Sequence, residues 1–258
     1  MPRRAGSSTT FMRFRKGHEG LARIRGILFD KDGTLVDFQR TWFAIGDMMA
    51  LEAAGGDRTR ANALMAEAGY DYETGGFRAD SVFAAGTNAD IVSLWYPQLG
   101  DKDRAAMVAS FDSETAAKGA MQAVALEGIK DMLTALHTRG YRLGLCTNDS
   151  TSGAEKTLVA LGVAQMFDAA YGYDAVANPK PAPDAVQAFC DLTGLTPAEV
   201  AVVGDNRHDL EMARAAGCGL AVGVLSGTGT QSTLAPLADI ILPSAMELPA
   251  VLAERNAT

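Results

Sequence analysis

Cysteine is scarce in this chain of 258 residues, and the three present, Cys146, Cys190 and Cys218, are odd in number and not spaced as metal ligands are. That argues against a disulfide framework and points to reduced thiols, mostly core filler, in a cytoplasmic setting. No apolar run approaches the roughly 18 residues of a membrane-spanning helix, so no membrane partner is expected. An excess of positive charge is missing as well. Lysine and arginine number 23 against 31 aspartates and glutamates, a net charge of −8 that speaks against general nucleic-acid binding. What is left is a soluble, globular composition in a chain long enough for one large core with an insertion.

Residues 1–22 depart from that balance. Arg3, Arg4, Arg13, Arg15 and Lys16 face a single acid, Glu19, and the apolar segment of a secretory signal is absent. A disordered basic tail is expected, or a chain whose true start is Met12. A basic arm for an anionic surface is the sharper alternative.

The rest is organised around Ile27-Leu28-Phe29-Asp30-Lys31-Asp32-Gly33-Thr34-Leu35. A short apolar run closed by a glycine turn reads as a buried parallel strand, with Asp30 and Asp32 on the rim where open α/β sheets bind ligands. From 38 to 118 the pattern is helical without a convincing strand. Helices are expected over 42–53, 61–68, 87–95 and 101–118, with an irregular, aromatic-rich connector over 69–86. Beyond 128, strand and helix alternate, with strands at 141–146, 169–172, 200–204, 219–225 and 240–242. With 27–29 they predict a doubly wound parallel sheet whose polar residues gather at the strand C-termini.

Three further stretches end such strands or connect them. Thr147-Asn148-Asp149-Ser150 offers a hydroxyl and backbone N–H groups suited to a phosphate oxygen, with Asp149 and Ser150 read as helix caps. Lys180 lies between Pro179 and Pro181, which hold its backbone stiffly. Asp205 and Asp209 place two carboxylates at another strand end, where hard oxygen ligands suit Mg²⁺.

The four motifs in order, DKDGTL, CTND, NPKP and GDNRHD, resemble those of the haloacid dehalogenase-like (HAD) superfamily over about residues 26–249. The long gap between Asp32 and Thr147 resembles subfamily IA, with a helical C1 cap inserted after the first motif, and within it the phosphoglycolate phosphatase-type hydrolases. This implies a Rossmann-like α/β core of residues 23–37 and 119–258 and a cap of residues 38–118. The implied activity is Mg²⁺-dependent hydrolysis of a small phosphorylated metabolite, phosphoglycolate-like, through an aspartyl-phosphate. Asp30 would be the nucleophile and Asp32 the general acid and base. Gly33, Thr147, Asn148 and Lys180 would bind phosphate, and Asp30, Asp32 through its carbonyl, Asp205 and Asp209 would serve the metal. Whether Asp209 reaches the metal or fixes Lys180 is left open.

A phosphomutase of the β-phosphoglucomutase type is the main alternative, followed by a non-catalytic phosphometabolite-binding protein. A dehalogenase would leave Asp32 without a task. A phosphonatase would need a cap lysine, and 38–96 has none. Arg78, in the connector, is the candidate for substrate selection, since a guanidinium can pair with a small carboxylate. His208 lies between the metal-binding acids and is left out, because Mg²⁺ prefers oxygen.

Overall fold

A computed structural model describes residues 22–257, so the expected basic tail lies outside the described residues except for Ala22. Strand β1 (Gly26–Phe29) leads into helices α1 (Phe38–Ala53) and α2 (Arg58–Ala68), the short strands β2 (Tyr70–Asp71) and β3 (Gly76–Phe77), and helices α3 (Val82–Ala85), α4 (Asn88–Trp95) and α5 (Asp101–Gln122). Then come α6 (Ile129–Thr138), β4 (Arg142–Cys146), α7 (Thr151–Ala160), β5 (Ala169–Tyr171), α8 (Asp184–Thr193) and β6 (Val200–Gly204). The chain ends with α9 (Arg207–Ala216), β7 (Leu220–Val224), α10 (Gln231–Leu234), β8 (Ile240–Leu242) and α11 (Leu248–Ala257).

The six expected strands form one parallel sheet in the order β5-β4-β1-β6-β7-β8. Both of its faces are apolar. Ile27, Phe29, Leu143, Leu145, Ala201 and Val203 pack on one side with Leu133, Leu158 and Leu248 from α6, α7 and α11. Leu28, Val200 and Val202 pack on the other with Phe189 of α8 and Leu210 of α9. Each large side chain removed from water in this way contributes about 1.5–3 kcal/mol. Because β1 pairs with β4 on one side and β6 on the other, the direction of winding reverses beside it, which opens a crevice at the strand C-termini. Phe29 is level with both Leu145 and Val203, so Asp30, Thr147 and Asp205 leave the sheet within a residue of one another.

The segment between β1 and α6 has an apolar core of its own, built on Trp42, Ile45, Met49, Met65, Val92 and Trp95. Its two ends meet where Asp37 N donates to Val124 O at 2.8 Å. Helix α5 runs to Gln122, past the expected end at 118. The expectation of no strand in this segment is corrected by the β2–β3 hairpin, in which Tyr70 opposes Phe77. Two-residue strands are too short to show an alternating pattern. The ring of Tyr70 meets those of Phe77 and Tyr72 with centroids 5.1 and 4.8 Å apart, and the Asp71 carboxylate accepts from Glu73 N at 2.9 Å inside the turn. All three cysteines are free, and Cys146 and Cys190 are buried. No helix among the described residues is long and apolar enough to cross a membrane.

Candidate active site

Asp30 follows the last residue of β1, and its N–H still donates to Val203 O at 2.8 Å, which fixes its carboxylate at the crevice. Asp30 Oδ1 accepts from Lys180 Nζ at 2.7 Å. The same ammonium donates to Asp209 Oδ1 at 2.6 Å and to Cys146 O at 3.0 Å, so its three hydrogens are all engaged. Asp209 is oriented by the chemistry that starts α9. Asn206 caps the helix, accepting from His208 N at 3.1 Å, and Asp209 Oδ2 accepts from Asn206 N at 3.0 Å to complete a capping box. One Asp209 oxygen thus begins a helix while the other holds Lys180.

Asp205 Oδ2 accepts from Thr228 N at 2.7 Å and Thr228 Oγ1 at 3.2 Å. Gly33 lies against it. A Cβ on Gly33 would stand 2.7 Å from Asp205 Cγ, and φ is +84°, so both space and backbone call for glycine. The Gly33 N–H is spent on Val36 O at 2.7 Å, and Gly33 is not among the residues lining the cavity. The structure therefore places Gly33 against Asp205 and outside the cavity lining.

Carboxylate oxygens of Asp30, Asp205 and Asp209 all lie within 4.8 Å of one another. Burial pushes the Asp30 carboxyl up to about 6, against the pull of Lys180. Burial, with Asp30 and Asp209 adding to it, holds Asp205 well above the ordinary range. Burial also opposes the charge of Lys180, but Asp209 and Asp30 outweigh it and keep the ammonium protonated. Three buried carboxylates against one ammonium leave an excess of negative charge, and buried Asp30 Oδ2 has no partner. An all-oxygen set with an orphaned donor atom fits a hard divalent cation.

Asp32 faces a second buried cation. Lys31 Nζ lies 3.1 Å from Asp32 Oδ2 and 2.6 Å from Asp149 Oδ2, and 5.0 Å above the ring of Trp42. Trp42 Nε1 donates to Asp32 Oδ1 at 2.6 Å. Burial raises the Asp32 carboxyl despite Lys31. Burial works against the Lys31 charge too, yet Asp149 and then Asp32 hold it above the usual lysine range. Asp149 is therefore not the helix cap expected of it. Ser150 caps α7, accepting from Gly153 N at 3.1 Å, and Asp149 is the counter-ion of Lys31. Lys31, Asp149 and Trp42 are the residues that sequence reasoning missed.

Thr147 Oγ1 accepts from Asp149 N at 3.1 Å and keeps its own hydrogen to donate. Asn148 Nδ2 donates to Ala85 O at 2.8 Å and Lys180 O at 3.3 Å. His208 Nδ1 also lies 3.2 Å from Ala85 O, so two core side chains hold one carbonyl at the end of α3 over the crevice. The place of His208 is against the insertion, not among the metal-binding acids. The cavity at the crevice is lined by Asp30, Asp32, Thr147, Asn148, Lys180, Asp205 and Asp209, and by residues of the insertion. Arg78 is not brought there. Its guanidinium donates to Ala66 O at 2.8 Å, a carbonyl in the last turn of α2 that also accepts from Gly69 N at 3.2 Å, as cations near helix C-termini do.

Residues 24–217 match the family model described as haloacid dehalogenase-like hydrolase. The chain is 31% identical over 217 residues to the phosphoglycolate phosphatase of Salmonella typhi, covering 77% of this chain and 80% of that one. It is 31% identical over 206 residues to the phosphoglycolate phosphatase of Escherichia coli strain K12, covering 76% and 79%. Among solved structures, a protein described as a predicted phosphoglycolate phosphatase from Haemophilus somnus 129PT superposes with a TM-score of 0.68 at 23% identity, over 90% of this chain and 99% of that one.

Proposed function

Because the chain belongs to the haloacid dehalogenase-like hydrolase family, we propose that it is a Mg²⁺-dependent phosphatase that cleaves a small phosphate monoester through an aspartyl-phosphate on Asp30. The reading rests above all on Lys180, whose ammonium bridges Asp30 and Asp209 at 2.7 and 2.6 Å beside a buried carboxylate cluster. A phosphate monoester repels nucleophiles, so its hydrolysis needs positive charge on the phosphoryl oxygens and an in-line attacking group.

Asp30, Asp205 and Asp209, with the Asp32 carbonyl, would hold Mg²⁺, which when bound supplies part of that charge. Lys180 supplies more, and Thr147 donates its free hydroxyl hydrogen to a phosphoryl oxygen. A carboxylate oxygen of Asp30 attacks phosphorus as the bond from phosphorus to the alcohol oxygen breaks. Asp32, whose burial favours the protonated form, gives its proton to the departing alkoxide. Asp32 then takes a proton from the water that attacks the aspartyl-phosphate, and inorganic phosphate and free Asp30 are regenerated. Residues 38–118 form the cap over the leaving group, and residues 23–37 and 119–258 form the core. Three unpaired thiols favour a reducing compartment such as the cytoplasm.

The test is turnover of a phosphate-ester panel by the purified protein with Mg²⁺, with 2-phosphoglycolate included because of the relatives' names. Chelator should abolish release of inorganic phosphate, and Asp30→Asn should abolish it for every ester together with the phosphoryl adduct seen by mass spectrometry. Full activity in excess chelator, or a sugar-phosphate isomer as product in place of inorganic phosphate, would overturn the reading.

A further inference from the structure

The cavity has two unlike ends. The phosphate end carries Asp30, Lys180, Thr147 and the acidic cluster, and the other end is walled by Phe38, Trp42, Met49, Phe83, Ile91 and Trp95 of the insertion. No lysine or arginine of the insertion lines it. Arg78 is bound to Ala66 O at the end of α2, Arg58 to Asp47, and Arg104 to Leu99 O. Of the cationic side chains at the cavity, Lys180 has all three hydrogens on Asp30, Asp209 and Cys146 O. His208 has Nδ1 directed at Ala85 O at 3.2 Å, against the insertion.

Gly86, Thr87 and Asn88 bring the N-terminus of α4 to the cavity, where a carboxylate of the chain already sits on the cap residue, with Thr87 N and Thr87 Oγ1 both donating to Asp90 Oδ2 at 2.8 Å, and sets its negative charge against that helix end. A second negative charge stands just behind, where Asp112 accepts from Asn88 Nδ2 at 2.8 Å and from the Tyr173 hydroxyl at 2.6 Å. Asn88 Nδ2 gives its other hydrogen to Thr115 Oγ1 at 3.0 Å, which leaves only the acceptor oxygen of that amide. Asn148 Oδ1, at the junction of the two ends, is a buried acceptor with no donor. A carboxylate placed here would meet aromatic walls, acceptor atoms and like charge, an environment that disfavours a buried anion.

We infer that the leaving group is an uncharged alcohol with an apolar face and at least one hydroxyl to donate, and that carboxylate-bearing esters such as 2-phosphoglycolate are poor substrates. The inference rests on the phosphatase reading and narrows it by substrate class. A hydroxyl satisfies the amide acceptors that a carboxylate cannot, and the carbon skeleton of a small polyol can lie against the aromatic walls.

Matched pairs separate charge from size. Values of kcat/KM with Mg²⁺ are compared for 2-phosphoglycolate against 2-hydroxyethyl phosphate, and for 3-phosphoglycerate against glycerol 3-phosphate. The neutral member of each pair should be favoured at least tenfold, mostly through KM. Ile91→Arg, which adds a cation to the wall, should shift each ratio at least tenfold toward the carboxylate, and Phe83→Lys gives the same readout should the first variant not fold. Turnover in which the carboxylate member equals or exceeds its partner in both pairs overturns the inference and leaves the phosphatase standing. Absence of turnover of these four esters and of 4-nitrophenyl phosphate overturns both.

Discussion

Replacing Asp149 by asparagine removes one charge and almost no volume, so it isolates the ion pair with Lys31. The Lys31 side chain is 2% exposed and that of Asp149 8%, too little contact with solvent for water to replace a lost partner. At 2.6 Å and an effective dielectric constant of about 20 the gross attraction is roughly 6 kcal/mol, and the asparagine oxygen keeps a fraction of it as a hydrogen bond. Breaking a buried pair from one side costs about 3–5 kcal/mol, because the other charge is left uncompensated. For a chain of this size that corresponds to a fall in thermal midpoint of about 6–20 °C. Asp32, 3.1 Å from the same ammonium, becomes its remaining carboxylate partner, so the loss should fall toward the lower end of that range. Activity should fall too, since Lys31 then neutralises the residue that carries the proton. Lys31→Met in the Asp149→Asn background removes the stranded charge and should recover most of the lost stability. The coupling between the two changes should therefore reach or exceed about 3 kcal/mol, the upper end of what contacting residues show. Thermal melts of the two single variants and the double variant followed by circular dichroism make the measurement. A midpoint within about 2 °C of the parent for Asp149→Asn, or simple addition of the two single effects, would refute the buried ion pair.

Two further outcomes are expected. Asp32→Asn should lose about 10²–10⁴-fold with an alkyl phosphate, where a poor alkoxide must be protonated, but should release an initial burst of nitrophenol from 4-nitrophenyl phosphate while phosphorylated Asp30 accumulates. Equal loss with both leaving groups and no burst would remove Asp32 from the proton path. Arg78→Ala should leave the order of kcat/KM across the ester panel unchanged, because its guanidinium is turned to Ala66 O and Arg78 does not line the cavity, and a reordered panel would return it to the site.

The sheet could be read from the chain because a parallel strand covered on both faces is a short, unbroken apolar run. Gly26–Phe29 and Val200–Gly204 are such runs, and in each a charged residue follows at once. The β2–β3 hairpin could not be read that way. Two residues per strand carry no period, and what joins them is contact among the rings of Tyr70, Tyr72 and Phe77. The helical insertion was visible as a whole, whereas the end of α5 was not, since Ala120, Met121 and Gln122 continue a helix as readily as they would leave one.

The acidic residues and Lys180 were visible for a related reason, since a charged side chain at the end of a buried strand or between two prolines is out of keeping with its neighbours. Lys31 has no such signature. A lone lysine between two aspartates reads as solvated, and its burial depends on Asp149, 118 residues away, and on Trp42 of the insertion. Neither partner has any feature in the sequence that points to the other. Asp149 followed by Ser150 looks like the start of a helix, and half of that impression is right, because Ser150 is the cap. Arg78 shows the converse. Its residue type and its place in an aromatic-rich connector single it out, but its guanidinium is turned to Ala66 O in the last turn of α2 and does not line the cavity. Side chains whose partners come from adjacent residues or from the sheet rim can thus be assigned from the chain itself, while those whose partners come from two distant segments acquire their role only when the insertion and the core meet.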